Sequence, residues 1–362
     1  MTQIPKRSIE IDFLRGLALI AIAVDHIPSS VLSHAMLHTF AFCDSAEVFV
    51  FVSGYVSAAS YLAIAARRGE QAANRRFWRR SREIYAAYLF TAALMLLSGA
   101  LAVLLHVDSP LVGESGWARF LAHPFPMLAN VALFRDQPYL AGVLPMYVLL
   151  ILAVPVVMPV VRRSPDLALL ASFGIWLGAC WLALALPNAT PDGWPFNPFA
   201  WQVMFVLGML CRAHPVSPAF QVSPMGRAIT VVALVLFVAF AFIRLHVEVE
   251  PPPGYEKQNL ASLRIVSFGV IAWLAAQAVR MGWVAWIAQR LPGIVTAGQQ
   301  GLVCFVGGAV VSNVVDTLLR ATHTSAFLPA RIGGDALAVG ALLALASIAR
   351  RWKTTRLRVA LT

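Results

Sequence analysis

Long apolar runs separated by short polar stretches dominate the chain. A membrane-spanning helix requires about 20 mostly apolar residues, and ten segments approach or exceed that length, although the sixth is short. Their approximate bounds are 13–32, 40–66, 84–105, 139–161, 167–187, 195–211, 228–246, 264–280, 294–319 and 333–349. The pattern predicts an all-α, polytopic integral membrane protein with about ten transmembrane helices.

The connections between the spans carry further signals. The more structured loops are 106–138, 188–198 and 247–263, and the first of them suits a helix at the membrane interface over 117–134. No small-residue cleavage site follows the first apolar segment, which is therefore predicted to be a retained span rather than a signal peptide. No convincing internal repeat is visible, and this disfavours the commonest transporter architectures.

The composition agrees with this pattern. Of 362 residues, 59% are hydrophobic and only 12% are charged, whereas a soluble domain carries about 25% charged residues. These values exclude an ordinary soluble enzyme, a disordered chain and a fibrous repeat. The four cysteines lie far apart without metal-ligand spacing, so we read them as buried apolar side chains and expect no metal site.

The excess of basic residues is explained by their arrangement. The chain has 28 Lys and Arg against 17 Asp and Glu, a net charge of +11, which in a soluble protein would suggest binding to nucleic acid. If the N-terminus is cytoplasmic, twenty basic residues fall on the cytoplasmic side and five on the other, as cytoplasmic loops favour Lys and Arg. We therefore predict cytoplasmic N- and C-termini, a single transmembrane domain over 1–349 and a basic cytoplasmic tail over 350–362. We expect the protein to lie in the lipid bilayer and to bind no nucleic acid.

Five ionisable residues lie within the first two predicted spans: Arg15, Asp25, His26, Asp44 and Glu47. A charged side chain in hydrocarbon costs about 2.5–3.5 kcal/mol on insertion scales, so such groups face a polar interior and mark a candidate functional site. Arg15 and His26 are eleven residues apart, which places them on one helix face at a separation of roughly 16 Å. The first span thus offers an anion site near the cytoplasmic mouth and a base at depth.

Structural roles remain open for several of these residues. Arg15 can snorkel at a span end, Asp25 can be a hydrogen-bond partner, and Asp44 and Glu47 can form ion pairs that hold helices together. The same cluster also fits a proton-coupled secondary transporter and, less well, a membrane scaffold.

Several segments resemble known signatures. IDFLRGLALIAIAVDH (11–26), with ten residues between an Arg and a His, and EVFVFVSGY (47–55) are similar to the membrane acyltransferase 3 superfamily. More specifically, the chain resembles the OpgC family, the succinyltransferases of osmoregulated periplasmic glucans. The segments that carry this likeness are DSAEVFVFVSGY (44–55), LPMYVLLIL (144–152), NPFAWQVMFVLG (197–208), KQNLASLR (257–264) and GQQGLVCFVGG (298–308). The chain departs from the family pattern at Ala141-Gly142, where an acidic residue is expected, and this raises the alternative of a different acceptor or acyl group.

The resemblance implies a ten-span enzyme of the bacterial inner membrane that moves an acyl group from cytosolic acyl-CoA to a hydroxyl of a periplasmic glucan. Succinyl-CoA is the expected co-substrate, acetyl-CoA is the alternative, and no metal is implied. The family's essential His maps to His26 and its spaced Arg to Arg15. Acyl transfer requires a base on the hydroxyl, and neutral imidazole serves near pH 7 because its ordinary pKa is about 6.5. We expect Glu47, Asp44 or Asp25, in that order, to orient the ring.

The remaining candidates are binding residues. Arg15 and the basic cluster that includes Arg75 and Arg79 suit the phosphates of CoA, although most of that cluster also fits topology and lipid head groups. On the outer side, the expected substrate-binding residues are Asn197, Trp201, Gln202, Lys257, Arg264 and Ser53. The first three mix aromatic and amide groups, as do sugar sites and interfacial belts. Lys257 and Arg264 suit an acidic acyl group or a gate, Arg264 can also snorkel, and Ser53 can instead bond its own helix backbone.

Overall fold

The computed structural model describes residues 8–107, 113, 115–190, 193–247 and 256–359. Parts of the three predicted loops (108–112, 114, 191–192 and 248–255), the two ends of the chain (1–7 and 360–362) and the side chains of 356–359 lie outside the described residues. The described part is helical and contains no strand. The helices are α1 (Ile9–Asp25), α2 (Leu37–Phe40), α3 (Ser45–Arg68), α4 (Glu70–Leu104), α5 (Trp117–Ala122), α6 (Pro124–Ala132), α7 (Val143–Arg163), α8 (Pro165–Leu177), α9 (Ala179–Leu182), α10 (Pro198–Ala213), α11 (Pro218–Val222), α12 (Pro224–His246), α13 (Ser262–Arg280), α14 (Trp283–Arg290), α15 (Pro292–Gln299), α16 (Gly301–Ala321) and α17 (Leu328–Val359). Short 3₁₀ turns occupy Leu32–Ala35, Tyr139–Ala141 and Ala183–Ala185.

Seven helices within the described residues are long and apolar enough to cross a membrane: α3, α4, α7 with its preceding 3₁₀ turn, α12, α13, α16 and α17. An eighth candidate is the pair of α8 and the α9 segment, which is bent by 65°. The first and sixth predicted spans correspond to shorter helices, α1 with 17 residues and α10 with 16. The protein is thus an all-α, multi-pass membrane protein, and the number ten stays a prediction.

Several predicted boundaries were wrong. The first helix ends at Asp25 rather than near 32, and α4 begins at Glu70 rather than near 84. The predicted span 294–319 is broken at Gln300 into α15 and α16. The predicted interfacial helix 117–134 is two helices, because the chain leaves helical geometry at His123.

The tail predicted at 350–362 begins as a continuation of a helix, because α17 runs without a break to Val359. Arg350 donates to the Thr296 hydroxyl at 3.5 Å, and Lys353 donates to the Gln300 side-chain oxygen at 2.6 Å. The beginning of this basic segment therefore packs against α15 and the break that follows it.

Glycines set the closest helix contacts. A Cβ on Gly54 of α3 would overlap the Phe205 carbonyl oxygen of α10, and a Cβ on Gly208 of α10 would overlap the Phe51 carbonyl oxygen of α3. Helices that approach this closely gain dispersion contacts along their backbones, as small residues allow in membranes. The same device joins α1 to α15, where Gly298 faces the Asp12 carbonyl oxygen.

The link between α1 and α3 brings the polar residues of both helices together. After α1 ends at Asp25, the chain passes through the turn at 32–35 and α2 before α3 begins. Asp44 caps α3 by accepting from the Ala46 backbone N–H at 2.7 Å, and Glu47 accepts from the Asp44 N–H at 2.9 Å. This capping box satisfies two backbone donors that the helix leaves free, and it fixes both carboxylates beside the end of α1.

Candidate functional site

Two cavities lie back to back inside the bundle. The first, of about 390 Å³, is called the histidine cavity, and its polar lining includes Asp25, His26, His38, Asp44 and Lys257. The second, of about 210 Å³, is called the arginine cavity, and its polar lining includes Arg15, Ser53, Ser57, Ser60, Arg76 and Arg80. The predicted separation of Arg15 and His26 therefore becomes a division of the site into a strongly basic half and a half that contains His26.

Three aromatic residues line both cavities: Phe49, Tyr147 and Phe305. The Phe49 ring centroid is 5.6 Å from that of Tyr147, edge to face, and 6.3 Å from that of Phe305. The Arg15 guanidinium carbon is 5.6 Å from the Phe49 centroid. We call these three residues the aromatic partition, because their side chains form the common wall of the two cavities.

His26 stands at the C-terminal end of α1. Its Nδ1 is 2.5 Å from the Ile22 carbonyl oxygen. A carbonyl only accepts, so Nδ1 carries a hydrogen, and in the neutral imidazole Nε2 therefore keeps the lone pair. The Tyr139 ring packs edge to face against the imidazole at 5.5 Å. Ring orientation, which we expected from a carboxylate, is thus supplied at Nδ1 by a backbone carbonyl.

Glu47 and Asp44 are engaged elsewhere. The Arg264 Nε donates to Glu47 Oε1 at 2.5 Å, and Arg264 Nη2 donates to Asp44 Oδ2 at 3.0 Å. The Lys257 Nζ is 2.7 Å from the same Asp44 oxygen. These four residues form the charge network, in which two cations balance two anions, and the ion-pair interpretation of Asp44 and Glu47 fits this geometry. Arg264 does not snorkel, because only 2% of its surface is exposed.

Asp25 pairs with a histidine that the sequence analysis did not single out. Its Oδ2 is 3.5 Å from His38 Nδ1, and its Oδ1 has no hydrogen-bond partner among the described residues. The Asp25 carboxylate raises the pKa of the His38 imidazole above its ordinary value, against the opposing effect of burial. The histidine cavity therefore holds a second imidazole with its own carboxylate, separate from His26.

Three of the expected sugar-binding side chains are instead structural. Asn197 and Trp201 are 1% and 0% exposed. The Trp201 Nε1 donates to the carbonyl oxygens of Lys257 and Gln258 at 3.0 and 3.2 Å, and the Asn197 amide donates to Asn259 at 2.9 Å. Gln202 exchanges hydrogen bonds with Ser172 of α8.

The polar groups of Asn197 and Trp201 hold the segment that carries Lys257, and they do not line either cavity. Lys257 itself does line the histidine cavity, with its Nζ 5.6 Å from the centroid of the Phe196 ring. Of the six expected substrate-binding residues, Lys257 and Ser53 therefore lie at a cavity wall.

The expected phosphate-binding arginines are displaced by one position. Arg75 and Arg79 line neither cavity, whereas the exposed Arg76 and the half-buried Arg80 line the arginine cavity. The buried face of α4 contains Ala73, Phe77 and Ile84, and residues 76 and 80 lie beside this face while 75 and 79 lie opposite it. Arg76 and Arg80 donate to the Glu83 carboxylate at 3.2 and 3.1 Å.

The cysteines also differ in part from the expectation, since Cys43 and Cys304 are buried while Cys180 and Cys211 are exposed.

Sequence reasoning missed the aromatic partition as well. Phe49 and Tyr147 lie in segments that were singled out, but in a chain this rich in aromatic residues nothing distinguishes a cavity wall from packing.

The fold and this site define a class: a multi-pass helical membrane protein with a histidine and an arginine in adjoining cavities inside the bundle. A sequence model of the OpgC protein family matches residues 7–354, nearly the whole chain. The chain therefore belongs to the OpgC family, and this membership supports a glucan-modifying transferase function. Neither the curated proteins nor the solved structures include a match to it.

Proposed function

We propose that the protein is a membrane O-acyltransferase that moves an acyl group, with succinyl favoured, from cytosolic acyl-CoA to a hydroxyl of a periplasmic glucan. The observation that carries the proposal is the pair of adjoining cavities, one basic and one containing His26, with a common aromatic wall. Such a site suits a donor and an acceptor that approach from opposite sides of a membrane. The excess of basic residues on one side supports a cytoplasmic position for the arginine cavity, and the bacterial inner membrane is the proposed location.

His26 acts as the general base. Its Nε2 removes the proton from the acceptor hydroxyl, whose oxygen attacks the thioester carbonyl carbon. The carbon–sulfur bond then breaks, and the protonated His26 gives its proton to the departing CoA thiolate. The Ile22 carbonyl at Nδ1 supports this role, because it holds the ring with Nε2 as the basic nitrogen.

The donor half of the site is basic. Arg15, Arg76 and Arg80 supply positive charge for the phosphates of CoA, and guanidinium groups bind phosphate through paired hydrogen bonds. The absence of a side chain at Gly301 leaves room for Arg15, since a Cβ there would lie 2.5 Å from its Nη2. The pantetheine arm would carry the thioester past Ser53 to the aromatic partition.

The acceptor half combines a cation with aromatic faces. Lys257 lies over the Phe196 ring and shares the cavity with His26. An ammonium group here suits the free carboxylate of a succinyl group, and this favours succinyl-CoA over acetyl-CoA. Aromatic faces at Phe196 and Tyr139 suit a sugar ring.

The test is CoA release by purified protein supplied with labelled succinyl-CoA or acetyl-CoA, with and without a glucan acceptor. The wild type should release CoA only with the acceptor and label the glucan. His26→Ala should lose this activity by about 10²-fold or more, whereas His34→Ala, a change in the following turn outside the cavity lining, should retain it. Full activity of a folded His26→Ala variant would refute the mechanism.

A proton-coupled transporter is the second candidate, favoured by the charge network of Asp44, Glu47, Lys257 and Arg264 inside the bundle. It predicts counterflow of a solute in proteoliposomes that contain no CoA. Such counterflow, together with no CoA release by the wild type, would select the transporter over the transferase.

A further inference from the structure

Tyr147 is the residue of the aromatic partition that carries a polar group. It stands near the start of α7, is 5% exposed, and lines both cavities. Its hydroxyl lies beside Ser53, but it makes no well-formed hydrogen bond with any described residue. A buried hydroxyl in this condition costs folding free energy, because it has lost its hydrogen bonds to water without full replacement.

A second buried tyrosine shows what a structural hydroxyl looks like in this protein. Tyr88 of α4 is 0% exposed, and its hydroxyl is within hydrogen-bond distance of the carbonyl oxygens of Val131 and Asp136, at 2.9 and 3.0 Å. Its bonds tie α4 to the region of α6. Among the described residues, the Tyr147 hydroxyl forms no such bond to a backbone carbonyl, and its polar neighbour is the Ser53 side chain of α3 in the cavity wall. Packing therefore explains its ring but not its oxygen.

We propose that Tyr147 is a catalytic residue whose phenol donates a hydrogen bond to the thioester carbonyl oxygen during acyl transfer. This inference rests on the proposed transferase function. A thioester that enters from the arginine cavity and reacts beside His26 must come to the wall that both cavities share, and Tyr147 is the hydrogen-bond donor of that wall. The ring is fixed there by its edge-to-face contact with Phe49, so the donor is oriented before the substrate arrives.

The chemical step balances without a further reactant. As the acceptor oxygen attacks, the carbonyl π electrons move to the carbonyl oxygen, and its growing negative charge accepts the Tyr147 hydrogen bond. When the carbon–sulfur bond breaks, the carbonyl reforms and the thiolate leaves. Tyr147 keeps its own proton throughout, and the proton of the acceptor travels through His26 to the thiolate. The nearby positive charge of Arg15 favours the same negative oxygen.

The experiment compares Tyr147→Phe with Tyr88→Phe for kcat, for KM of the acyl-CoA and for the midpoint of thermal unfolding. Loss of one oxyanion donor lowers kcat by about 10²–10³-fold, so Tyr147→Phe should show such a loss with KM within about threefold of wild type. Its unfolding midpoint should equal or exceed that of wild type, because a hydroxyl without good bonds has been removed. Tyr88→Phe should show the reverse: a lower midpoint and a kcat near that of wild type.

The outcomes separate the two proposals. If the wild type is active and depends on His26, but Tyr147→Phe keeps kcat or lowers the unfolding midpoint as Tyr88→Phe does, the role of Tyr147 is refuted and the transferase stands. If the wild type releases no CoA with any acceptor, the transferase function itself fails, and the role of Tyr147 fails with it.

Discussion

At the scale of single residues, Arg264 is the group on which the charge balance of the site depends. It is 2% exposed and bonds both Glu47, which is 0% exposed, and Asp44. Removing one member of a buried ion pair leaves its partner charged and without compensation, which is far more costly than removing both. Arg264 therefore stabilises the junction of α3 and α13 as long as its two carboxylates are present.

We predict that Arg264→Met lowers the free energy of unfolding by about 3–5 kcal/mol. Chemical or thermal unfolding in detergent measures the loss. Arg79→Met is the matched control, because the Arg79 side chain is 74% exposed and its pair with Glu83 is a surface contact, which contributes about 0–1 kcal/mol. Adding Glu47→Gln to Arg264→Met should recover part of the loss. Equal effects of Arg264→Met and Arg79→Met would contradict the structural role.

The sequence allowed the members of the site to be predicted better than their partners. Arg15 and His26 were selected from spacing within one helix, and both line cavities. The pairing of Arg264 with Glu47 joins residues 217 positions apart in the sequence, and residue spacing within one helix cannot predict a contact between such distant positions. Glu47, Asp44 or Asp25 was expected to bond the His26 ring. The Ile22 carbonyl bonds that ring instead, Arg264 bonds Glu47 and Asp44, and Asp25 pairs with His38.

At the scale of elements, the contact between α3 and α10 depends on the missing side chains of Gly54 and Gly208. We predict that Gly208→Ala lowers the unfolding midpoint in detergent, because its Cβ would collide with the Phe51 backbone, which cannot move aside as a side chain can. Overpacking of this kind costs about 1–3 kcal/mol. The control is Gly269→Ala in α13, where a Cβ meets no atom within 4 Å. That variant should be neutral or more stable, by up to about 1 kcal/mol, because alanine favours helix. Loss of stability in both variants, to the same extent, would show that the close contact is not the cause.

Helices were predictable because apolar length is a direct signal, whereas their breaks were not. The interruption at Gln300 lies in the stretch 298–301, Gly-Gln-Gln-Gly, inside the predicted span. Contacts from elsewhere hold it, since Lys353 bonds the Gln300 side chain and Gln299 donates to Asp12 at 3.1 Å. For a similar reason, the sequence did not distinguish Arg75 and Arg79 from Arg76 and Arg80, which line the arginine cavity. The inward face of α4 is set by what packs against Phe77 and Ile84, and the polar half of that helix has no strong periodicity of its own.

At the scale of the whole molecule, the aromatic partition separates the arginine cavity from the histidine cavity inside the bundle. A transferase whose donor and acceptor lie on opposite sides of a membrane must let the acyl group through while it keeps water from the thioester. Exclusion of water protects reactive groups and strengthens the electrostatic interactions around them. The aromatic partition is placed to meet this requirement, since Phe49 touches both Tyr147 and Phe305 and lies against Arg15.

We therefore predict that Phe49→Ala uncouples the reaction, so that CoA release without a glucan acceptor rises several-fold while glucan labelling falls. The matched control is Phe51→Ala, because Phe51 lies on the same helix but packs against Phe268, with ring centroids 5.1 Å apart, and lines neither cavity. Both changes remove a ring and lower the free energy of unfolding by about 3–5 kcal/mol at most. Activities are therefore normalised to the amount of monodisperse protein, so that a loss of folded protein in both variants is not mistaken for uncoupling. Phe49→Leu, which retains most of the volume, should leave acceptor-independent release near the wild-type level. If Phe49→Ala and Phe51→Ala release CoA alike in the absence of glucan, the partition does not keep water from the thioester, and the barrier between the cavities must lie elsewhere in the bundle.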